Sequence, residues 1–332
     1  MAWYETPAAA ALGVRYPLLQ APMSGVSTPE LAAAVSNAGG LGSLGAAWLQ
    51  PDDLRAAIRA LRALTDAPYM VNLFAWPQPD AAPEAHPSLD AQLAVVAEER
   101  VPVFSFTFGI PDFAPLQAGG ATIVGTATTV AEARALEAAG VDVVVAQGWE
   151  AGGHRGTFER PTHDVDVGGL ALVPQVVDAV SVPVLSAGAI MDGRGIAAAL
   201  ALGADGASLG TAFIATAESA AHPLYRRLLA ETPVEGTRIS RVFSGRDARL
   251  IRTAAVEELV GSGASTAPYP LQLRVTRPVH AAGLADDDPR RLFLLAGQGA
   301  ALVRELPAGR LVATLVAETE EAVRRLSGET AG

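Results

Sequence analysis

His154 is the residue whose type and setting most directly suggest chemistry. It stands in the stretch QGWEAGGHRG (147–156), close to Glu150 and Arg155, directly after the apolar run VDVVVA (141–146). An imidazole titrating near neutrality can take a proton from a carbon acid or hold an anion. The run before it is apolar and rich in β-branched residues, as in a strand buried on both faces of a parallel sheet. Gly148, Gly152 and Gly153 let the chain turn and display Glu150, His154 and Arg155. A buried strand opening into such a loop is a common seat of chemistry in α/β barrels. The alternative is a tight turn whose histidine only caps backbone. The flanking glycines, carboxylate and guanidinium weigh toward function.

Two further segments suit a phosphate. SAGAIMDGRG (186–195) and LGADGASLGTAF (202–213) each follow a short apolar run. Barrels often hold a phosphate between the loops after the seventh and eighth strands, on backbone N–H groups and a helix N-terminus. Gly188 permits close backbone approach, while Gly210 and Thr211 offer amides and a hydroxyl. Together they point to a phosphate-bearing cofactor.

These loops need a frame, and the apolar pattern supplies one. Strands are expected at 17–23, 41–44, 69–74, 101–106, 122–126, 141–147, 182–187 and 206–211. Helical spacing fills 28–37, 51–64, 88–98, 130–139, 169–180 and 193–202, with Ser27, Thr28 and Pro29 as a start signal and Gly39, Gly140 and Gly203 as stops. Eight strands, each followed by a crossover, predict an α/β fold of the (β/α)8 TIM-barrel type, with an open doubly wound sheet as the fallback. Past Phe213 no parallel unit is evident. The expected organisation is a barrel from 1–217 and 306–332, with an added, mainly helical lobe at 218–305 after strand eight, covering the site. Residues 311–326 would return as a terminal helix against the barrel. The Pro/Ala run at 77–87 reads as an exposed loop that edges the site.

Composition narrows the chemistry. The 332 residues include no cysteine, and all 24 basic residues are arginine. Thiolate nucleophiles, disulfides, sulfur-ligated metals and lysine Schiff bases are thereby excluded. The net charge of −11 argues against nucleic-acid or anionic-membrane binding. No export signal or membrane span is read, so a cytoplasmic, soluble protein is expected, with its oligomeric state open and no metal site.

The motifs QAPM (20–23), VNLF (71–74), QGWEAGGHRG, PVLSAGAIMDGRG (183–195), GADGASLGT (203–211), VFSGRDAR (242–249) and AGQGA (296–300) together resemble the nitronate monooxygenase family, formerly called 2-nitropropane dioxygenases. The resemblance runs through nearly the whole chain. EAGGH is specific to that family and to the related FMN-dependent enoyl-acyl-carrier-protein reductases. It implies an FMN-dependent TIM barrel that oxidises alkyl nitronates, or nitroalkanes, with O2 to a carbonyl compound and nitrite. Carried onto this sequence, it implies FMN at the C-terminal mouth, with Ala21, Pro22 and Met23 bordering the isoalloxazine. Asn72 and Gln147 would supply polar contacts. Gly152, Gly188, Gly210 and Thr211 would lie along the ribityl phosphate, with Gly153 and Ala189 also among the cofactor-binding residues. His154 matches the family's catalytic histidine, as base or substrate-positioning group.

The chain departs from the family pattern in places. Ala189 stands where a second glycine is usual, so the phosphate turn must tolerate a Cβ. Thr107, in SFTFG, replaces a histidine of many relatives and borders the expected substrate pocket. Tyr269, in the lobe, is either a substrate contact or a packing aromatic. Arg246 and Arg249 are read as structural salt-bridge formers, and His163 and His222 as structural. Two alternatives accompany the oxidation: a flavin enoyl-thioester reductase using NAD(P)H, and a flavin-binding barrel without catalysis.

Overall fold

Each short apolar run becomes a strand where neighbours can cover both of its faces. In the computed structural model, which describes residues 2–75, 87–158 and 166–328, the barrel strands are β1 (Leu18–Gln20), β2 (Gly42–Gly45), β3 (Tyr69–Phe74), β4 (Val103–Thr107), β5 (Thr122–Ala127) and β6 (Val143–Gln147). A two-residue strand, β7 (Gly153–His154), stands apart, and β8 (Val184–Ala187) and β9 (Gly206–Leu209) complete the barrel. These eight run parallel in the order β1-β9-β8-β6-β5-β4-β3-β2. The seam between β1 and β2 closes through a parallel bridge, Leu19 to Leu41. There Leu41 N–H donates to the Leu18 carbonyl (2.8 Å) and Gln20 N–H to the Leu41 carbonyl (2.9 Å). The fold is the expected TIM barrel. β4 and β8 start later than their apolar runs because Pro102 and Pro183 offer no N–H to the ladder.

Helices fill the crossovers, and polar caps start many of them. Thr28, Ser88 and Thr129 accept N–H bonds from Leu31, Ala91 and Glu132, and Asp192 accepts from Arg194 and Gly195. Leu19, Met70, Val103, Val124, Val143, Val145 and Leu185 fill the barrel interior, and Ala8 and Leu12 pack into the same cluster. The helix Pro7–Leu12 that carries these two was not expected from the periodicity; at 6 residues it is too short to show a helical period.

After β9 the chain leaves the barrel. The lobe holds helices Pro223–Glu231, Ala254–Gly261 and Leu273–Ala285 and a hairpin of β10 (Thr237–Ser240) with β11 (Ala248–Ile251). The hairpin pairs with β7, giving a three-stranded antiparallel sheet in the order β10-β11-β7. The terminal helix Ala308–Ser327 returns to the barrel. A Cβ on Gly193 would lie 2.2 Å from the Glu318 carbonyl carbon, so glycine permits this helix crossing. Among the described residues no helix is long and apolar enough to cross a membrane. His163 and nearly all of the 77–87 run lie outside the described residues.

Candidate active site

The strands deliver their C-terminal ends to one cavity of about 650 Å³. Its floor is the apolar interior of the barrel, at Leu19, Met70, Val124 and Val145, and its wall is polar where the strands end. Ala21, Pro22, Met23, Asn72, Thr107, Gln147, Gly152, Gly153, His154, Gly188, Ala189, Gly210 and Thr211 all line it. Residues assigned from distant parts of the chain thus converge on one site.

His154 owes its position to a loop tied down on several sides. The ladder between β7 and β11 sets His154 opposite Ala248 and Gly153 opposite Arg249. Gln147 spends its amide on the same loop: Nε2 donates to the His154 carbonyl (3.1 Å) and Oε1 accepts from Gly156 N–H (2.9 Å). Glu150 and Arg155 do not share the cavity with the imidazole. Both Glu150 carboxylate oxygens accept from Gly169 N–H (2.9 Å each), anchoring the start of the helix Gly169–Val177. Arg155 is buried and donates to the carbonyls of Gly148 (2.7 Å) and Gln147 (3.1 Å). The triplet displayed in the sequence therefore divides into one group facing the cavity and two that hold the loop.

The imidazole is caged by rings. Phe74, Phe108, Phe243 and Tyr269 have centroids 6.4, 5.9, 6.1 and 5.7 Å from it. Tyr269 is the most closely placed ring of this cage and is buried, edge-on to both His154 and Phe108. Nε2 of His154 lies 2.7 Å from Oγ of Ser244, a fully buried residue of the SGRDAR motif. Burial, and then the nearby Arg246 guanidinium, hold the His154 pKa down at about 3, so the ring is neutral across the physiological range.

Arg246 and Arg249 were read as salt-bridge formers; among the described residues both donate to backbone carbonyls. Arg249 donates to the Trp149 carbonyl (2.8 Å) and to Thr237 Oγ1 (3.2 Å). Arg246 donates to the Thr157 carbonyl, and its guanidinium lies 3.9 Å over the Phe108 ring. Burial lowers the pKa of Arg246 and of Arg155 to about 10, which leaves both charged at neutral pH. Buried guanidinium groups thus flank the His154 loop, alongside the carboxylates of Glu132, Glu150 and Asp247. His222 caps the helix Pro223–Glu231 by accepting from Leu224 N–H (3.2 Å), in keeping with its structural reading, and also borders the cavity.

Opposite His154, the glycine loops after β8 and β9 meet the AGQGA stretch. Thr211 Oγ1 accepts from Gly297 N–H (3.0 Å), and Gln298 N–H donates to the Glu150 carbonyl (3.0 Å). Among the described residues, the N–H groups of Ala189, Gly210 and Thr211 have no acceptor within the chain. A Cβ on Gly210 would meet only Ala21 Cβ (3.6 Å) and Met23 Sδ (3.9 Å). Donors lining a spacious cleft at the barrel mouth fit a phosphate, and the cavity volume is ordinary for a small-molecule site. These residues fit a mononucleotide. Ala189 adopts φ 52°, the left-handed region that a Cβ disfavours, which explains the expected glycine there. Ser244 and the AGQGA loop went unassigned at residue level, although both motifs carried the family resemblance. Trp48, Phe243 and Arg277 also line the cavity and carried no signal that singles them out.

Comparisons with known proteins converge. The family model described as nitronate monooxygenase matches residues 5–318. A nitronate monooxygenase of Pseudomonas aeruginosa is 43% identical, over 92% of this chain and 97% of the relative. A nitroalkane oxidase of Streptomyces ansochromogenes superposes with a TM-score of 0.90 at 43% identity, covering 96% of this chain and 99% of that one. FabK of Thermotoga maritima follows at a TM-score of 0.83 and 34% identity, covering 98% and 99%.

Proposed function

The chain belongs to the nitronate monooxygenase family, an oxidoreductase family, and from that premise we propose that it oxidises a small alkyl nitronate with O2 at a bound FMN, yielding a carbonyl compound and nitrite. The observation that carries this reading is a neutral, caged imidazole facing the same cavity as a row of backbone donors, beside the buried Arg246 cation.

When bound, FMN would supply the two-electron chemistry that no side chain here possesses. The N–H groups of Ala189, Gly210 and Thr211, with the Thr211 hydroxyl, would hold its phosphate, and the backbone of Ala21, Pro22 and Met23 would border its ring system, near Asn72 and Gln147. Gly152, Gly153 and Gly188 keep the surrounding loops close. His154 meets the substrate, as acceptor of an α-proton or as holder of an anionic nitronate. The buried guanidinium of Arg246 favours an anion in this low-dielectric setting and disfavours a protonated His154. The aromatic cage limits water near the reacting carbon, Thr107 borders the substrate side, and Tyr269, which does not line the cavity, packs against His154 and Phe108.

A second reading, flavin-dependent reduction of an enoyl thioester by NAD(P)H, draws on the likeness to FabK. Anaerobic titration separates the two. Heat denaturation should release free FMN, since no cysteine exists for a thioether link. Bleaching of the flavin by a nitronate, with nitrite and carbonyl appearing once air is admitted, is the expected result. Bleaching by NADH alone would favour the reductase, and bleaching by neither would leave a barrel that binds flavin without turnover.

A further inference from the structure

The SGRDAR motif places a hydroxyl against the imidazole, and the local distances decide which way the hydrogen bond runs. Ser244 Oγ lies 2.7 Å from His154 Nε2, 3.4 Å from the Arg246 carbonyl oxygen and 3.4 Å from Arg246 N. A hydroxyl has one proton to give. Donation to a carbonyl at 3.4 Å falls outside the effective range, which ends near 3.0 Å for O–H···O bonds. Donation to the sp² nitrogen is short and partly buried, and the Arg246 N–H approaches a remaining lone pair of the same oxygen.

We infer that Ser244 is a positioning residue that donates its proton to His154 Nε2 and so holds the imidazole as the Nδ1–H tautomer, with that N–H offered to the cavity as a donor for an anionic nitronate oxygen. A neutral imidazole carries one N–H, and a lone pair engaged at Nε2 leaves the proton on Nδ1. Nδ1 has no partner among the described residues, and the residue lines the cavity. The ring cannot readily turn away, because Phe74, Phe108, Phe243 and Tyr269 surround it and the β7–β11 ladder fixes its backbone. A neutral ring presenting a lone pair at Nδ1 would repel an anion, whereas one presenting N–H binds it. Burial and Arg246 suppress the protonated form that would otherwise serve the same purpose. The tautomer stands on geometry alone; only its use on a nitronate rests on the functional reading above.

The test is nitrogen NMR of the oxidised holoenzyme labelled with ¹⁵N-histidine, the His154 signals being assigned by their loss in His154→Gln. Nδ1 should carry the proton in wild type. Ser244→Ala should move the ring toward the Nε2–H tautomer and lower kcat/KM for a preformed nitronate about ten- to hundredfold, the cost of one lost charge-assisted bond. Flavin content should stay unchanged, and Ser244→Thr should restore both readouts. A wild-type Nε2–H tautomer would overturn the inference, as would an unchanged tautomer in Ser244→Ala. Should Ser244→Ala fail to fold, the wild-type measurement decides alone. An Nδ1–H tautomer in an enzyme that turns over no nitronate would leave the assignment standing and defeat the functional reading instead.

Discussion

His154 and Ala248 stand opposite each other across the antiparallel ladder between β7 and β11. The backbone carrying the imidazole is thus secured by a hairpin of the lobe as well as by Gln147 at the end of the barrel strand it follows. The lobe lines part of the cavity and also supplies Ser244, the partner of the imidazole. Phe243 comes from the same turn and packs on the ring.

The junction of Gly152 with the AGQGA loop leaves no room for a side chain. A Cβ at position 152 would sit 2.4 Å from Gly297 N and 2.6 Å from the Ala296 carbonyl carbon. Gly152→Ala must push that loop away, straining the Gly297–Thr211 and Gln298–Glu150 bonds. The expected loss is about 1–3 kcal/mol of stability, with weaker flavin binding. Chemical denaturation and flavin titration measure the two effects, and wild-type values in both would show that the loops separate without cost.

Gly210 presents the opposite case. Space beside it lets the fold accept a Cβ, but the added atoms enter the cleft where phosphate would meet the backbone donors. Gly210→Val should therefore remain folded and purify largely without flavin. Full occupancy at wild-type affinity would put the phosphate elsewhere.

Ala189 carries backbone strain at φ 52°. The left-handed conformation costs a non-glycine residue roughly 1 kcal/mol, while glycine adds unfolded-state entropy of about 0.4–1 kcal/mol. Ala189→Gly should lie between neutral and about 0.6 kcal/mol more stable, with flavin affinity little changed if the contact proposed there is made by a backbone N–H. A clear loss of stability, read from the denaturation midpoint, would show that the methyl group packs usefully.

The lowered pKa of the caged imidazole makes stability depend on pH in a defined direction. His154 has a folded pKa of about 3 against an ordinary value of 6.5, so the unfolded chain binds the proton first as the pH falls. Its contribution is complete above about pH 6.5 and is lost progressively between pH 6.5 and 3. At pH 5 the flavin-free protein should be about 2 kcal/mol less stable than at neutrality from this group alone. His154→Gln should remove that part of the slope. Identical pH profiles for the two proteins, followed by denaturation across that window, would show that the ring is solvated and titrates normally.

The barrel was legible in the sequence because its evidence is local. An apolar run such as YMVNLF has to be buried on both faces, and it became β3 (Tyr69–Phe74) with its expected ends. The apolar spacing and Gly140 likewise state where the helix Val130–Ala139 runs and stops. That the glycine loops and His154 would share one cavity was legible too, since they lie at strand ends that the barrel must bring to one mouth. What only the tertiary structure decided is how the imidazole is held. β7 has two residues and no period to detect, and its partner β11 lies far along the chain. Ser244 is 90 residues from His154, in a motif whose local pattern says nothing of the ring it meets. Glu150, beside His154 in sequence, turned out to anchor a helix. Sequence periodicity records which residues are buried; which buried polar groups pair with each other depends on long-range approach, and local spacing carries no trace of it.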